Sequence, residues 1–323
     1  MSLVIIIGGG LAGPVLALAL HKHEISSTIY ELRPKAYRSG GNIAIAPNAA
    51  RVLDHIGVYG RLRTQGFNYE EIAFENGSGN VLGKFLNGSQ KHYNFSALRI
   101  KRSIVHDELL AACEQRGIPI HYERKFKSIV SETDENATVL FEDGEEVTAG
   151  FVIGCDGIHS KPALVQELCE KTPIDGLTSW PLFSVPELKD WKSTAGRVIV
   201  IGDAAHAIPP TGGQGAAMAF EDAETLSYVL GRLRDLHLAH AGGSHKLFAD
   251  DILNKWQRHR QDRIVKVLDF TSKNGTLRKS SPHVYEQAAK EWIIWAAFKL
   301  MGAEAGAKWL YTYNAENVLG VIA

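Results

Sequence analysis

The hydrophobic residues of this chain fall into short unbroken runs that end at glycines or acids. Leu3 to Ile7 is such a run of Leu, Val and Ile, as expected for a parallel strand buried on both faces. Gly8, Gly10 and Gly13 follow, and then an Ala- and Leu-rich segment from Leu11 to Leu20 is predicted to be a helix. Pro14 is tolerated in its first turn, where an N–H has no helical partner anyway. Thr28 to Tyr30 makes a second strand that ends at Glu31. A third apolar run begins at Phe151 and ends at Asp156-Gly157. A fourth, Val198 to Ile201, ends at Gly202-Asp203. Between them, Phe126 to Thr148 alternates and turns at Asp143-Gly144, which predicts a β-meander. Tyr69 to Phe74 and Val81 to Leu86 are predicted to pair as a hairpin across Asn76 to Gly79. Arg102 precedes an amphipathic helix carrying Ile104, Val105, Leu109 and Leu110. A lone arginine in that place is ordinarily solvated.

Length and composition narrow the class. A chain of 323 residues suggests roughly two domains. Its 45% hydrophobic and 22% charged residues are those of a soluble globular protein. Thirty-five basic side chains face 36 acidic ones, which argues against a nucleic-acid partner. Cys113, Cys155 and Cys169 are too few and too scattered for a disulfide framework or a metal site, so no metal is expected. The opening MSLVIIIGGG lacks the longer apolar stretch of a signal peptide, and no run reaches the ~18 apolar residues of a membrane span. A cytoplasmic protein without a transmembrane segment is expected.

The chemistry starts at the first strand. Gly8, Gly10 and Gly13 form G-x-G-x-x-G between a strand and a helix, and Glu31 closes the next strand at the spacing of a ribose-binding acid. Gly8 permits the tight turn, Gly10 lets a pyrophosphate approach the backbone, and Gly13 lets helix press on strand. The helix N-terminus then faces the phosphate charge. This predicts dinucleotide binding and leaves FAD and NAD(P) both open.

A second ligand loop follows the fourth strand. Asp203 places a carboxylate at the C-terminal edge of the sheet, where α/β folds gather ligands. Pro209 to Gly215 then reads PPTGGQG and opens onto a helix from Ala216 to Leu226. Backbone N–H groups there can bind an anionic oxygen.

Together GGGLAG with YELR, then CDGIHSK, then GDAAHAIPPTGGQGAAMAFEDA resemble the single-component FAD-dependent aromatic hydroxylases, the FAD monooxygenases related to p-hydroxybenzoate and salicylate hydroxylase. The resemblance covers residues 1–160 and 197 to about 270. It implies an α/β fold: a Rossmann-like FAD-binding domain, a second β-sheet substrate domain, and C-terminal helices. It assigns the FAD pyrophosphate to Gly8, Gly10, Leu11, Ala12 and Gly13, and the adenosine ribose to Glu31, Leu32 and Arg33. Ala44, within Asn42 to Ala46, and Arg51 would run beside the flavin and its phosphates. Arg102 matches the family's FAD-contacting arginine. Asp156 belongs to a motif linked to both FAD and NAD(P)H, and Asp203 would bind the ribityl or pyrophosphate part. Pro209, Gly213, Gly215 and Ala216 would approach the isoalloxazine. The implied reaction uses NAD(P)H and O₂ to hydroxylate or epoxidise a small organic substrate, aromatic or terpenoid-like, through a C4a-hydroperoxyflavin. No catalytic side chain is assigned; His206 in the GDAAH turn is read as structural. The protein would act as a monomer or a homodimer.

One departure stands out. The family builds its substrate sheet from two inserted stretches. The second should lie between Ser160 and Gly202, where only 41 residues, 161–201, are present. At ~5–6 residues per strand plus turns, that is too short for a multistranded sheet. Either the gene is shortened or an internal segment is missing from this sequence. The expected organisation is therefore a discontinuous FAD-binding domain (1–65, 98–160 and 197–275), a reduced substrate domain (66–97 and 161–196) and a C-terminal helical segment (276–323). Its Trp-rich stretch, His283 to Val321, is read as a packed amphipathic helix pair, with a membrane-facing or substrate-tunnel role as the alternative. Two alternatives to the hydroxylase stay open: a flavin-binding protein without efficient hydroxylation, and an FAD-dependent dehydrogenase or oxidase on the same scaffold.

Overall fold

The computed structural model describes residues 3–38, 40–157, 188–208, 212–239, 245–277, 283–302 and 306–323. Its centre is a five-stranded parallel sheet in the order β13-β12-β1-β2-β8, formed by Val198–Val200, Phe151–Gly154, Val4–Ile7, Ser27–Tyr30 and Ile120–His121. All four residues of β1 are buried, as its unbroken apolar run requires.

The chain leaves β1 through α1 (Ala12–Lys22) to β2 on one side, while β12 pairs with β1 on the other. The direction of strand order reverses beside β1, so a ligand crevice is expected at its C-terminal end. The register aligns Ile7 with Gly154 and Gly154 with Val200. Gly8, Asp156 and Gly202-Asp203 therefore emerge at one sheet edge, delivered by three adjacent strands.

One face of this sheet is covered by the antiparallel meander β9-β10-β11 (Phe126–Glu132, Ala137–Phe141, Glu146–Ala149). There Val139 and Phe141 join Ile5, Ile7 and Val152 in a compact apolar cluster. The other face is covered by helices: α1, then α2 (Pro47–His55), α3 (Tyr59–Leu62), α5 (Arg102–Gln115) and the long α7 (Gly215–Ala239) and α8 (His245–Leu277). Val15, Leu16, Leu18 and Leu20 of α1 are all buried, each contributing on the order of 2 kcal/mol.

A smaller sheet, β3-β7-β4 (Asn42–Ile45, Ala97–Lys101, Phe67–Tyr69), flanks the crevice. The hairpin is β5 (Glu71–Glu75) with β6 (Val81–Leu86). Tyr69 does not belong to it but pairs with Ala97 in β4 and β7. Glu70 causes the break: its carbonyl accepts from the Asn87 and Gly88 amides, and its carboxylate accepts from the Gln90 amide. The short α4 (Gln90–Tyr93) follows.

The C-terminal stretch is not uniformly packed. α9 (Val284–Met301) rests on β6 through Phe298 but leaves Tyr285, Trp292, Ile293 and Leu300 exposed. The segment with α10 (Lys308–Tyr311) and α11 (Val318–Ile322) is packed, with Leu310, Tyr311, Val318 and Ile322 in the core. Trp191 is also buried, its ring beside Trp256 and its amide bonded to Gln257, so residues 188–193 lie against α8. Among the described residues no helix is long and apolar enough to cross a membrane.

Candidate FAD-binding site

The three glycines after β1 have different surroundings. Gly8 has φ +109, and a β-carbon there would lie 2.6 Å from the Cys155 carbonyl oxygen. At Gly13 it would lie 2.0 Å from the Gly8 carbonyl oxygen. These two serve close backbone packing. Gly10 is open: among the described residues beyond its chain neighbours, its β-carbon position meets only Arg102 Nη2 within 4 Å, at 3.7 Å. At Gly157 and Gly213, with φ +69 and +62, no described residue beyond the chain neighbours comes within 4 Å of the β-carbon position. A ligand backbone can therefore approach Gly10, Gly157 and Gly213, but not Gly8 or Gly13.

Gly9 fixes the loop. Its amide donates to Glu31 Oε2 at 2.5 Å, and its carbonyl accepts from His106 Nε2 at 2.6 Å. Glu31 Oε1 accepts from the Arg33 amide at 2.7 Å. Burial, with Arg102 and Arg38 nearby, holds His106 below its ordinary pKa despite the Gly9 bond. Because a carbonyl can only accept, Nε2 carries the proton in this bond. Leu32 and Arg33 are exposed, and the Arg33 guanidinium lies 5.0 Å from the Tyr37 ring centre.

Arg102 starts α5 and is not a solvated surface arginine. Burial lowers its pKa, while Asp203, Tyr37 and Glu31 act on it in the opposite sense. Gly40, at φ +99, lies against its stem: a β-carbon there would sit 2.7 Å from Arg102 Cδ. The local exposure of Asp203 is equally informative. Its side chain reaches solvent, yet surrounding protein desolvates the carboxyl and raises its pKa; His206 and Arg102 oppose this, and Asp222 adds to it. A carboxyl that is both accessible and crowded lines a concave surface.

Gly202, at φ +63, brings the second loop to the first. Its β-carbon position is 3.1 Å from Ala219 Cβ on α7 and 3.8 Å from Ala12 Cβ on α1. The starts of α1 and α7 thus converge on the turn that carries Asp203. Leu11, Ala12, Gly215 and Ala216 are half-buried at those helix starts, and Gly213 is exposed just before α7. Asp156 sits beside Gly8, whose β-carbon position is 2.9 Å from Asp156 Cα. Ala44 is half-buried in β3, opposite Arg99.

Arg51 is engaged elsewhere. Its Nη2 donates to the Tyr93 carbonyl at 3.1 Å, and its guanidinium lies 5.2 Å from the Phe95 ring centre. Pro209 lies outside the described residues.

Several supporting residues were not singled out from sequence. His106 lies one helical turn after Arg102, with nothing in its own pattern to mark it. Glu221 and Asp222 had a signal: two adjacent acids inside the apolar run AAMAFEDAETL. Both are fully buried; Glu221 accepts from Arg260, Arg263 and Asn48, and Asp222 accepts from Arg260. His206 is held in this network through Asp222, at 2.5 Å.

These open glycines, the desolvated arginine and the converging helix starts suit an extended dinucleotide. Known proteins agree. The FAD binding domain family matches residues 1–176 and 171–235, so this chain belongs to that family. It is 30% identical over 221 residues to 3-amino-4-hydroxybenzoate 2-monooxygenase PtmB3 of Streptomyces platensis, covering 64% of this chain and 54% of that protein. It is 25% identical over 378 residues to the FAD-dependent monooxygenase penE of Penicillium thymicola, covering 82% and 76%. That alignment is longer than the whole 323-residue chain, so the relative carries residues within it that this chain lacks. The crystal structure of CtdE in complex with FAD and substrate 4 has the same fold, with TM-score 0.72 at 18% identity, covering 100% of this chain and 99% of that one. The chain spans about half the length of the first curated relatives it matches.

Proposed function

We propose that this chain binds FAD in an extended form and acts as an FAD-dependent monooxygenase that uses NAD(P)H and O₂ to hydroxylate or epoxidise a small organic substrate. The observation that carries the reading is the meeting of three sequence motifs at one sheet edge, with Arg102 over the open Gly10 and within the field of Asp203.

In this reading the pyrophosphate lies on Gly10, Leu11 and Ala12 at the start of α1, where the helix dipole favours anions. Gly8 and Gly13 hold that turn in shape. Glu31, already oriented by the Gly9 and Arg33 amides, accepts from the ribose hydroxyls, with Leu32 and Arg33 alongside. Arg102 offsets phosphate charge. Asp203 accepts hydrogen bonds from the ribityl hydroxyls, and Asp156 borders the same edge. Ala44 flanks the flavin side. Gly213, Gly215 and Ala216 offer backbone N–H groups to the ring system. When bound, FAD supplies the transfer of electrons from NAD(P)H to O₂ and the delivery of one oxygen atom. The protein's part is to bind, orient and exclude water.

The test is NAD(P)H oxidation by the FAD-loaded chain under ¹⁸O₂ with a panel of phenols and terpenoids. Product carrying one labelled oxygen supports the proposal. The shortened stretch before Gly202 leaves less chain to shield the flavin, so part of the NAD(P)H consumed should emerge as peroxide. Substrate-independent peroxide with no labelled product at all would refute monooxygenation.

A further inference from the structure

We infer that Arg260 is a positioning residue for the cofactor: seated by Tyr313 of the C-terminal segment, it holds through Asp222 the turn that presents Asp203. The inference rests on the FAD reading of the site.

Asp222 is fully buried on α7 and binds both ends of that turn. Its Oδ2 accepts from the Gly202 amide at 3.0 Å and meets His206 Nε2 at 2.5 Å. Asp203 lies between them, in the four-residue α6 (Asp203–His206), which has no side-chain cap of its own. The turn therefore depends on Asp222 for its shape. Asp222 in turn depends on Arg260, whose Nε donates to Oδ1 at 2.7 Å.

Arg260 is itself held from the other side. Its Nη1 donates to Glu221 Oε2 at 2.9 Å and to Tyr313 Oη at 3.2 Å. His259 Nε2 is 2.9 Å from the same hydroxyl, and the Arg263 guanidinium lies 4.1 Å from the Tyr313 ring centre. Arg263 also donates to the Trp309 and Leu310 carbonyls and to Glu221. The residues 309–313 thus close over both arginines. Glu221 Oε1 accepts from Asn48 at 2.8 Å, which ties α2 into the same framework.

Stability alone does not account for this arrangement. A buried ion pair is often no more stabilising than a well-packed apolar pair of the same volume. What the charged version adds is direction: a carboxylate fixed by a guanidinium accepts the Gly202 amide and His206 in one orientation only. That orientation decides where Asp203 points. The aromatic C-terminal segment, whose role the sequence left open, is then part of the support of the cofactor site.

The test separates the two halves of the dinucleotide. Affinities for FAD and for ADP, together with apo-protein melting temperatures, would be measured for the parent chain, Arg260→Lys, Tyr313→Phe and the double variant Asp222→Asn/Arg260→Met. ADP needs the loop after β1 and Glu31 but not the Asp203 turn. The double variant removes both charges at once, so no orphaned buried charge is left to unfold it. FAD binding should weaken by roughly tenfold or more in Arg260→Lys and in the double variant, while ADP binding stays within about twofold. Tyr313→Phe should show a smaller loss in the same direction. Equal weakening of FAD and ADP would show a merely structural role, and unchanged FAD affinity would show none; either overturns the inference. A parent chain that binds ADP but no FAD would instead sink the cofactor assignment on which it rests.

Discussion

Arg102 Nη2 lies 3.7 Å from the position a β-carbon would take on Gly10, and among the described residues beyond its chain neighbours no other atom comes within 4 Å of that point. A loop glycine with a cation beside it and open backbone is poised for an anion, because the partly desolvated cation and the free backbone face the same point.

The three glycines should therefore respond differently to alanine. Gly10→Ala should leave apo stability within about 0.5 kcal/mol but weaken FAD binding by tenfold or more, because the methyl group occupies the ligand's approach. Gly13→Ala should lower the melting temperature and the yield of folded protein, since the new methyl would collide with the Gly8 carbonyl. Thermal melts with parallel FAD titrations check this. Matched losses of stability in both variants would contradict the separate roles.

Asp203 should trade stability for binding. Its folded pKa is raised, chiefly by burial, so the charged form is disfavoured by folding. For a raised acid the favourable contribution is present below the unfolded pKa and is lost as pH rises through the folded value. At pH 7 the ionised carboxylate is thus a small cost to the apo protein. Asp203→Asn should raise the apo melting temperature slightly at pH 7 and still weaken FAD retention. Asp143→Asn is the control: Asp143 sits in the meander turn, paired with Arg124, and its replacement should leave flavin content unchanged. Equal flavin content in the two variants would remove Asp203 from the site.

Asp222 gives the opposite sign. Burial alone would raise its carboxyl pKa, but His206 and Arg260 beside it bring it down to about 2. A depressed acid stabilises the fold above its unfolded pKa of about 4, and that contribution is lost as pH falls through the folded value. Apo-protein stability should therefore fall between about pH 4 and pH 2, and Asp222→Asn should flatten that part of the profile. Denaturant melts across this range check it; an unchanged slope would show that Asp222 is not held ionised.

Much of this was legible in the sequence because the relevant constraints are local. Gly8 and Gly13 announce themselves where backbone must meet backbone, and the unbroken run Val4–Ile7 marks a strand buried on both faces. Asp203 could be placed because it ends such a strand. Partners far apart in sequence could not be found this way. His106 meets Gly9 across 97 positions, and Arg260 meets Asp222 across 38. Each reads in isolation as an ordinary polar residue on a helix. The same limit explains Arg102, which a helix start alone would leave in solvent, and Arg51, whose guanidinium turns to Tyr93 and Phe95. It also explains the split of Tyr69 from the hairpin, which depends on where Glu70 finds its partners. The C-terminal aromatics looked alike in sequence, yet Tyr311 is buried while Trp292 is 67% exposed, because only the former reaches the core.

The most direct measurement is equilibrium binding of FAD to the purified 323-residue chain, followed by flavin fluorescence, with NAD⁺ titrated in parallel and the flavin released by heat then identified. Saturable binding of one FAD per chain, released unchanged as FAD, with NAD⁺ binding at least a hundredfold weaker, is the expected result. Tight NAD⁺ binding with no retention of flavin would contradict it: the glycine loop after β1 would then serve a nicotinamide dinucleotide, and the Asp203 turn would have no flavin to hold.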